Sequence, residues 1–161
     1  MEKLVVRKAK QNDIPLLFDL INGLALYEKR PQDMTGTKEQ LHYWLFEKNI
    51  ATSFIAEQNG TAIGYAIYYP VFGSFSAKGK VHLEDIFVKE EFRGQGVGKQ
   101  FFAEVVNHAL NEGYAGMEWS CLDWNTTAIS FYDKLGAEME TGRKYFDFNH
   151  LQMQEIAKNA K

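Results

Sequence analysis

The chain has 161 residues, of which 45% are hydrophobic and 14% aromatic. This is enough for one domain to bury a hydrophobic core without disulfide bonds or structural metal ions. Its 18 basic and 21 acidic residues leave a net charge of -3, which provides no overall attraction to nucleic acid or to an anionic membrane. Cys121 is the single cysteine, the amino terminus opens with charges, and no apolar run approaches the roughly 20 residues that span a bilayer. We therefore expect one domain over residues 1–161, in a reducing cytoplasm.

The first part of the chain predicts a strand and a helix. Residues 4–7 have the composition of a short strand. Asn12 or Asp13 can then cap a helix that has Pro15 in its first turn and one apolar face, and this helix should end near residues 27–28.

A second helix and a hairpin should follow. Thr37 and Gln40 have the spacing of a capping box, in which a hydroxyl and an amide satisfy each other's backbone donors. The composition of residues 53–57 and of residues 61–69 predicts two strands. Between them lies Asn59-Gly60, the dipeptide best suited to positive φ at both central positions of a turn. The sequence therefore predicts an antiparallel pair.

The second half alternates strands with helices. Residues 81–88 predict a strand that leads through several glycines into a helix with adjacent apolar stripes, and residues 117–122 predict a further strand. Asn125 can cap a short helix that Gly136 ends, and residues 144–148 should close the sheet. Antiparallel strands followed by strand-helix-strand units indicate a mixed α/β sheet.

The glycine-rich segment at residues 93–99 has the features of an anion site. It lies between a strand and a helix, so backbone N–H groups and the positive end of the helix dipole converge there. Its alternate glycines let the backbone approach a diphosphate closely, and Arg93 and Lys99 add positive charge. The simpler interpretation, a turn that only starts a helix, is disfavoured by three glycines between two cations.

Two other phosphate loops do not match. A Walker loop would have glycine where the chain has Arg93, and Ser or Thr where it has Gln100. A dinucleotide fingerprint starting at Gly94 and Gly96 needs its third glycine at the position of Lys99. Neither a nucleoside triphosphate nor a dinucleotide is therefore the expected ligand.

Arg93-x-x-Gly96-x-Gly98 after an apolar strand resembles the acetyl-CoA signature of the GNAT N-acetyltransferase superfamily, and the predicted element order matches that fold. Five segments resemble its spermidine/spermine N-acetyltransferase-like subgroup: residues 24–28, 83–88, 92–94, 124–125 and 131–132. The resemblance implies the GNAT α/β fold, with a mixed, mostly antiparallel sheet flanked by about four helices. It also implies a homodimer that transfers acetyl directly from acetyl-CoA to an amine. No metal is expected, because no His and Cys residues have metal-ligand spacing.

The resemblance implies a cofactor site around the glycine-rich segment. The backbone of Ile86, Phe87 and Val88 would pair with the pantetheine arm as if it were an added strand, and one of their N–H groups would hold the acetyl carbonyl oxygen. The side chains alone indicate only a core strand, and Asn125 is equally explained as a helix cap. The remaining residues implied at the cofactor are Arg93, Gly94, Gln95, Gly96, Val97, Gly98, Lys99, Asn125, Thr126, Thr127, Ala128 and Tyr132.

Tyr132 is the candidate general acid. In the resembling enzymes a tyrosine at this place points at the thioester sulfur, where a phenol with a reference pKa of about 10 can protonate the departing thiolate. The alternative is an aromatic core residue beside Phe131.

Glu84 and Asp85 are candidate bases. An alkylamine with a reference pKa of about 10.4 is nucleophilic in only about one molecule in a thousand at neutral pH, so a base or a water chain is useful. On a regular strand the two carboxylates point to opposite faces unless a bulge intervenes. The resemblance favours Glu84 as substrate ligand and water-mediated base; a simple ion pair is the alternative.

The expected acceptor is a polyamine, a diamine or a lysine-like amine, because in the resembling enzymes a carboxylate like Glu28 grips a distal ammonium. The candidate substrate residues are Tyr27, Glu28, Glu84, Asp85, Glu118 and Trp119, with Glu140 as a conjectural second ammonium ligand.

Two other functions stay open. One is acetylation of a protein or peptide amine, which requires an open groove. The other is an inactive CoA-binding regulatory module, against which Tyr132 and Glu84 argue. Covalent catalysis by Cys121 with His82 or His108 is disfavoured, because Cys121 should lie inert in an apolar strand.

Overall fold

A computed structural model describes residues 3–159 of the chain. The chain divides into two compact units, one ending at Ser120 and the other beginning at Cys121. The first unit holds a five-stranded sheet and three helices, and the second holds two helices. That residues 1–161 act as one domain stays a prediction.

The sheet of the first unit has its strands in chain order. They are β1 (Leu4–Lys8), β2 (Thr52–Gln58), β3 (Thr61–Gly73), β4 (Lys78–Val88) and β5 (Met117–Glu118). The first four strands pair antiparallel, and β4 and β5 pair parallel. The predicted mixed, mostly antiparallel sheet is confirmed.

Five α-helices are described: α1 (Ile14–Tyr27), α2 (Lys38–His42), α3 (Val97–Asn111), α4 (Thr126–Lys134) and α5 (His150–Asn159). A π-helical turn, Tyr43–Glu47, continues α2. Within residues 3–159, none of the helices combines the length and the apolar character that crossing a bilayer requires.

The local signals at Thr37, at Asn125 and in the first hairpin are confirmed. Asp13 occupies the residue before α1, but its side chain makes no capping hydrogen bond to that helix and instead accepts from the Lys10 N–H at 2.7 Å. The Thr37 hydroxyl accepts from the Gln40 N–H at 3.2 Å, while the Gln40 side chain accepts from the Thr37 N–H at 3.0 Å. Asn125 caps α4 through the Ala128 N–H at 3.2 Å. Asn59 and Gly60 have φ of 49° and 75°, the positive values that a two-residue hairpin turn joining β2 and β3 requires.

The sheet buries side chains on both faces. One cluster joins α1 to the sheet and consists of Ile14, Leu17, Leu20, Leu45, Ile55, Tyr65, Ile67 and Phe87. On the other face α3 contributes Phe101 and Val105, which are fully buried, and His108 packs against Phe54 and Tyr68. Because side chains alternate along a strand, β3 sends Tyr65 toward α1 and Tyr68 toward α3.

Three predictions for the last third of the chain are wrong. Strand β5 covers two residues instead of 117–122, so Cys121 lies outside a strand and is exposed. Residues 144–148 form no strand, and residues 150–159, for which no helix was predicted, form α5. The reason is that a strand needs a neighbouring edge to accept its backbone hydrogen bonds, whereas an apolar pattern indicates only which side chains need burial.

Candidate active site

A bulge in β4 changes where the two candidate carboxylates point. Ile67 of β3 pairs with Asp85, but the next residue, Tyr68, pairs with Leu83, so Glu84 is the extra residue. The Asp85 side chain is thereby placed with Tyr65 on the α1 face of the sheet, while Glu84 is exposed. Of the two carboxylates, Asp85 is thus the one directed into the protein.

Asp85 lines a cavity of about 120 Å³ between α1, the segment after it, and the sheet. The lining residues are Ile21, Leu24, Ala25, Glu28, Arg30, Asp33, Met34, Tyr65 and Asp85. Three of them are carboxylates and one is a guanidinium, so the polar part of the lining is acidic. Arg30 is held by Asp33 at 2.6 Å and lies 4.0 Å from Glu28. The apolar remainder suits a hydrocarbon chain with a cationic end.

Burial raises the pKa of Asp85 to about 6, a hydrogen bond from Tyr65 opposes this shift, and the nearby charges of Glu84 and Glu28 add to it. The Tyr65 hydroxyl is 2.9 Å from Asp85 Oδ2, and the ring is fully buried. Burial raises the pKa of Tyr65 well above its ordinary value, so its hydroxyl stays protonated and donates. Asp85 therefore changes its charge close to neutral pH.

The other predicted substrate carboxylates of the strands lie around His82. Its Nε2 is 3.8 Å from Glu84 and its Nδ1 is 3.5 Å from Glu118, and its ring stacks on Tyr69 at 5.0 Å. Trp119, also a predicted substrate residue, packs edge-on against a ring of α3. Among residues 3–159, no group of three His, Cys, Asp or Glu side chains is arranged to hold a metal ion. The geometry thus separates Glu84 and Glu118 from the cavity that Glu28 and Asp85 line.

Arg93 connects three parts of the site. Its Nε donates to the Val88 carbonyl oxygen at 2.7 Å, and its guanidinium lies 4.4 Å above the centre of the Tyr27 ring. The side chain thereby ties the glycine-rich segment to the end of β4 and to the last turn of α1. The sequence placed Arg93 and Tyr27 in separate roles and did not indicate this contact.

The glycine-rich segment has the backbone that an anion site needs. Gly94 and Gly96 have φ of 85° and 78°, and no atom lies within 4 Å of where a Cβ would be at either position. Gly96 is the residue before the first turn of α3 and offers no side chain to the first N–H groups of that helix. These donors and the open space before them fit a diphosphate.

The edge of β4 adds a place for an extended arm. Pairing between β4 and β5 covers only Val81 with Met117 and His82 with Glu118. On the edge of β4 that faces β5, residues 83–88 extend past the last paired residue of β5. This stretch of β4 leads toward the glycine-rich segment. A ligand with a diphosphate and an extended arm carrying amides, as in CoA, therefore fits this part of the chain.

The second unit carries the predicted general acid. Tyr132 lies on α4, half-buried, with its ring 5.5 Å from that of Phe131 in an edge-on arrangement. Glu140, the conjectural ammonium ligand, pairs with Arg143 at 2.9 Å. The roles of Asn125, Thr126, Thr127, Ala128 and Tyr132 toward a cofactor stay predictions.

We expect acetyl-CoA to raise the melting temperature, while ATP and NADH at equal concentration do not. Saturation at about 100 times Kd contributes about 2.7 kcal/mol, which corresponds to a rise of roughly 5 to 10 °C for a chain of this size. Gly96→Ala should lose this rise, because its Cβ would occupy the open space in front of the helix N–H groups.

Gly113→Ala is the matched control, since Gly113 at the other end of α3 also has positive φ, 86°, and open space around it. Both variants carry the same backbone strain, so only the ligand-induced rise should separate them. A full rise in the Gly96→Ala variant, or a larger one with ATP, would show that the segment is only a turn.

Comparisons with known proteins identify the family of this chain. The model of the Acetyltransferase (GNAT) family matches residues 19–137. The chain is 32% identical to thialysine N-epsilon-acetyltransferase of Sus scrofa, over 98% of this chain and 99% of that protein. It is 38% identical to L-ornithine N5-acetyltransferase of Arabidopsis thaliana, over 47% of this chain and 33% of that protein.

A solved structure gives the same result. The aminoglycoside N-acetyltransferase AAC(6')-Iy in complex with CoA aligns with a TM-score of 0.72 and 26% identity, over 93% of this chain and 97% of that one. Because the family model spans more than half of the sequence and a relative is similar along nearly its whole length, the chain belongs to the GNAT family of acetyltransferases.

Proposed function

We propose that this acetyltransferase moves acetyl from acetyl-CoA to a primary amine of a diamine, a polyamine or a lysine-like compound. The observation that carries this proposal is the cavity lined by Glu28, Asp33 and Asp85, with Arg30 as the one cation among its lining residues. Its apolar wall suits the methylene chain between two nitrogens, and its carboxylates suit an ammonium at the end that does not react.

The relatives support the same class of acceptor. One is named for acetylation of the ε-amine of a lysine analogue, and the other for acetylation of the δ-amine of ornithine. In both compounds a second nitrogen lies several atoms from the one that reacts, and the carbon that bears it also carries a carboxylate. The carboxylates of the cavity would suit that ammonium, and Arg30 would suit the carboxylate beside it.

The chemistry divides among three groups of residues. Bound acetyl-CoA would supply the acetyl group as a thioester. Glu84, through a water molecule, would take the proton from the amine nitrogen, and a backbone N–H of residues 86–88 would donate to the carbonyl oxygen. The Tyr132 hydroxyl would give its proton to the sulfur as it leaves. The exposed position of Glu84 allows water to reach it.

A panel of amines tests this proposal. Thiol release from acetyl-CoA is measured with a four-carbon diamine, its monoamine analogue, lysine, ornithine and a lysine-containing peptide. We expect kcat/KM to be highest for an acceptor with two nitrogens. A preference for the peptide would instead indicate acetylation of proteins, and binding of acetyl-CoA without turnover of any amine would indicate a regulatory module.

A homodimer, which the resemblance implies, and a cytoplasmic location, which the single cysteine and the charged amino terminus suggested, both stay predictions. The prediction of a dimer is supported by the second unit, in which several large apolar side chains near the end of the described chain are exposed. These are Tyr145, Phe146, Phe148, Leu151, Met153 and Ile156.

A further inference from the structure

Tyr65 is a fully buried residue for which the proposed chemistry has no role. It lies in the middle of β3 on the α1 face, is 0% exposed, and lines the acidic cavity together with Asp85. Its hydroxyl donates to Asp85 Oδ2 at 2.9 Å. A phenylalanine would fill the same apolar space, so packing explains the ring but not the hydroxyl.

We propose that Tyr65 is a positioning residue that determines specificity: its hydroxyl holds the Asp85 carboxylate so that the cavity accepts an ammonium end in preference to an uncharged one. The inference rests on the proposed function, because it assumes that the cavity takes the end of the amine that does not react.

The position of the hydrogen bond supports this role. Tyr65 pairs with Phe87 across the sheet and Asp85 pairs with Ile67, so the two side chains are diagonal neighbours on one face. The bond fixes one carboxylate oxygen, Oδ2. Both residues line the cavity, so Asp85 is held at the cavity wall, where it can meet a ligand. A carboxylate held in this way needs no reorientation when a cation arrives.

The charges around Asp85 explain why it needs such a donor. Glu28, the residue that follows α1, and Glu84 of β4 are acidic, and Asp33 of the cavity lining is paired with Arg30. Burial and the charges of Glu84 and Glu28 favour the protonated form of Asp85, which could not act as a counter-ion. The Tyr65 hydroxyl opposes them, because a hydrogen bond to a carboxylate lowers its pKa.

The test compares Tyr65→Phe with Tyr68→Phe. Tyr68 lies on the same strand, is 2% exposed, and has its hydroxyl 2.6 Å from His108 Nδ1 on the opposite face of the sheet. Both variants lose one buried hydroxyl, but only Tyr65→Phe changes the cavity. The measured quantity is the ratio of kcat/KM for a diamine to that for its monoamine analogue, between about pH 5 and pH 8.5. Deprotonation of the reacting nitrogen affects kcat/KM for the diamine and for the monoamine in nearly the same way, so its pH dependence largely cancels in this ratio.

In the unmodified enzyme the ratio should rise as pH increases through about 6, the pKa of Asp85, because ionised Asp85 holds the ammonium. In Tyr65→Phe the pKa of Asp85 should be higher. We expect the ratio to fall about tenfold at pH 7, mainly through KM of the diamine, and to recover toward pH 8.5. Tyr68→Phe should match the unmodified enzyme throughout.

An unchanged ratio in Tyr65→Phe, or an equal loss at every pH, would overturn the role of Tyr65. Failure of the proposed function would be seen separately, as absence of a diamine preference in the unmodified enzyme. If Tyr65→Phe does not fold at neutral pH, the double variant Tyr65→Phe with Asp85→Asn should fold. The Asn side chain removes the negative charge that would otherwise be buried without its hydrogen-bond donor. A double variant as unstable as the single one would also contradict the inference.

Discussion

We expect Tyr132→Phe to lower kcat by about 100-fold or more, with the affinity for acetyl-CoA nearly unchanged. The substitution keeps the ring, including its edge-on contact with Phe131, and removes only the hydroxyl. A general acid acts on the leaving sulfur in the transition state, so its loss should affect turnover and not binding. Steady-state kinetics with a saturating diamine give kcat, and the acetyl-CoA-induced shift in melting temperature gives binding.

Tyr145→Phe serves as the control for this experiment. Tyr145 lies in the same unit and is 86% exposed, so removal of its hydroxyl should change neither quantity. If Tyr132→Phe retained full kcat while chemistry was shown to limit the rate, Tyr132 would be an aromatic packing residue. Equal losses of turnover and of acetyl-CoA affinity would instead assign its hydroxyl to binding.

Glu28→Gln should remove most of the preference for diamines over monoamines. A charge-assisted contact between a carboxylate and an ammonium contributes about 1.5 to 3 kcal/mol, which corresponds to roughly ten- to hundredfold in kcat/KM. Glu28 lines the cavity with 26% of its side chain exposed, so water screens this contact and the lower end of the range is expected. Monoamine turnover should be nearly intact, because the reacting nitrogen does not depend on the distal contact.

Asp19→Asn is the matched control for Glu28→Gln. Asp19 lies on α1, the helix that Glu28 directly follows, is exposed, and is not among the residues that line the cavity. Both substitutions remove one negative charge from this part of the chain, so an effect of overall charge would appear in both. Equal kcat/KM for the diamine and the monoamine in the unmodified enzyme would rule out a polyamine-like acceptor and leave the acetyltransferase activity.

Short-range features were predictable because their causes lie within a few residues. The capping box at Thr37, the hairpin turn at Asn59-Gly60 and the glycines before α3 each depend on backbone conformations that the local sequence selects. The resemblance that led to the GNAT family rests on the same kind of segment.

The acidic cavity could be predicted only in part. Glu28 and Asp85 were candidates, but the contact of Asp85 with Tyr65 depends on the register of β3 against β4, which includes a bulge at Glu84. A shift of one residue in that register would turn every side chain to the opposite face, and the residue types of β4 do not locate the bulge.

By itself, the sequence determined the order of most elements and the family, and it predicted an anion site at residues 93–99, since these follow from local conformational preference and from motif spacing. Only the tertiary structure decided that Asp85, instead of Glu84, faces the cavity, that Arg93 lies over Tyr27, and that residues 144–148 form no strand. Each of these depends on contacts between residues far apart in the chain, where burial and the partner's hydrogen bonds outweigh local preference.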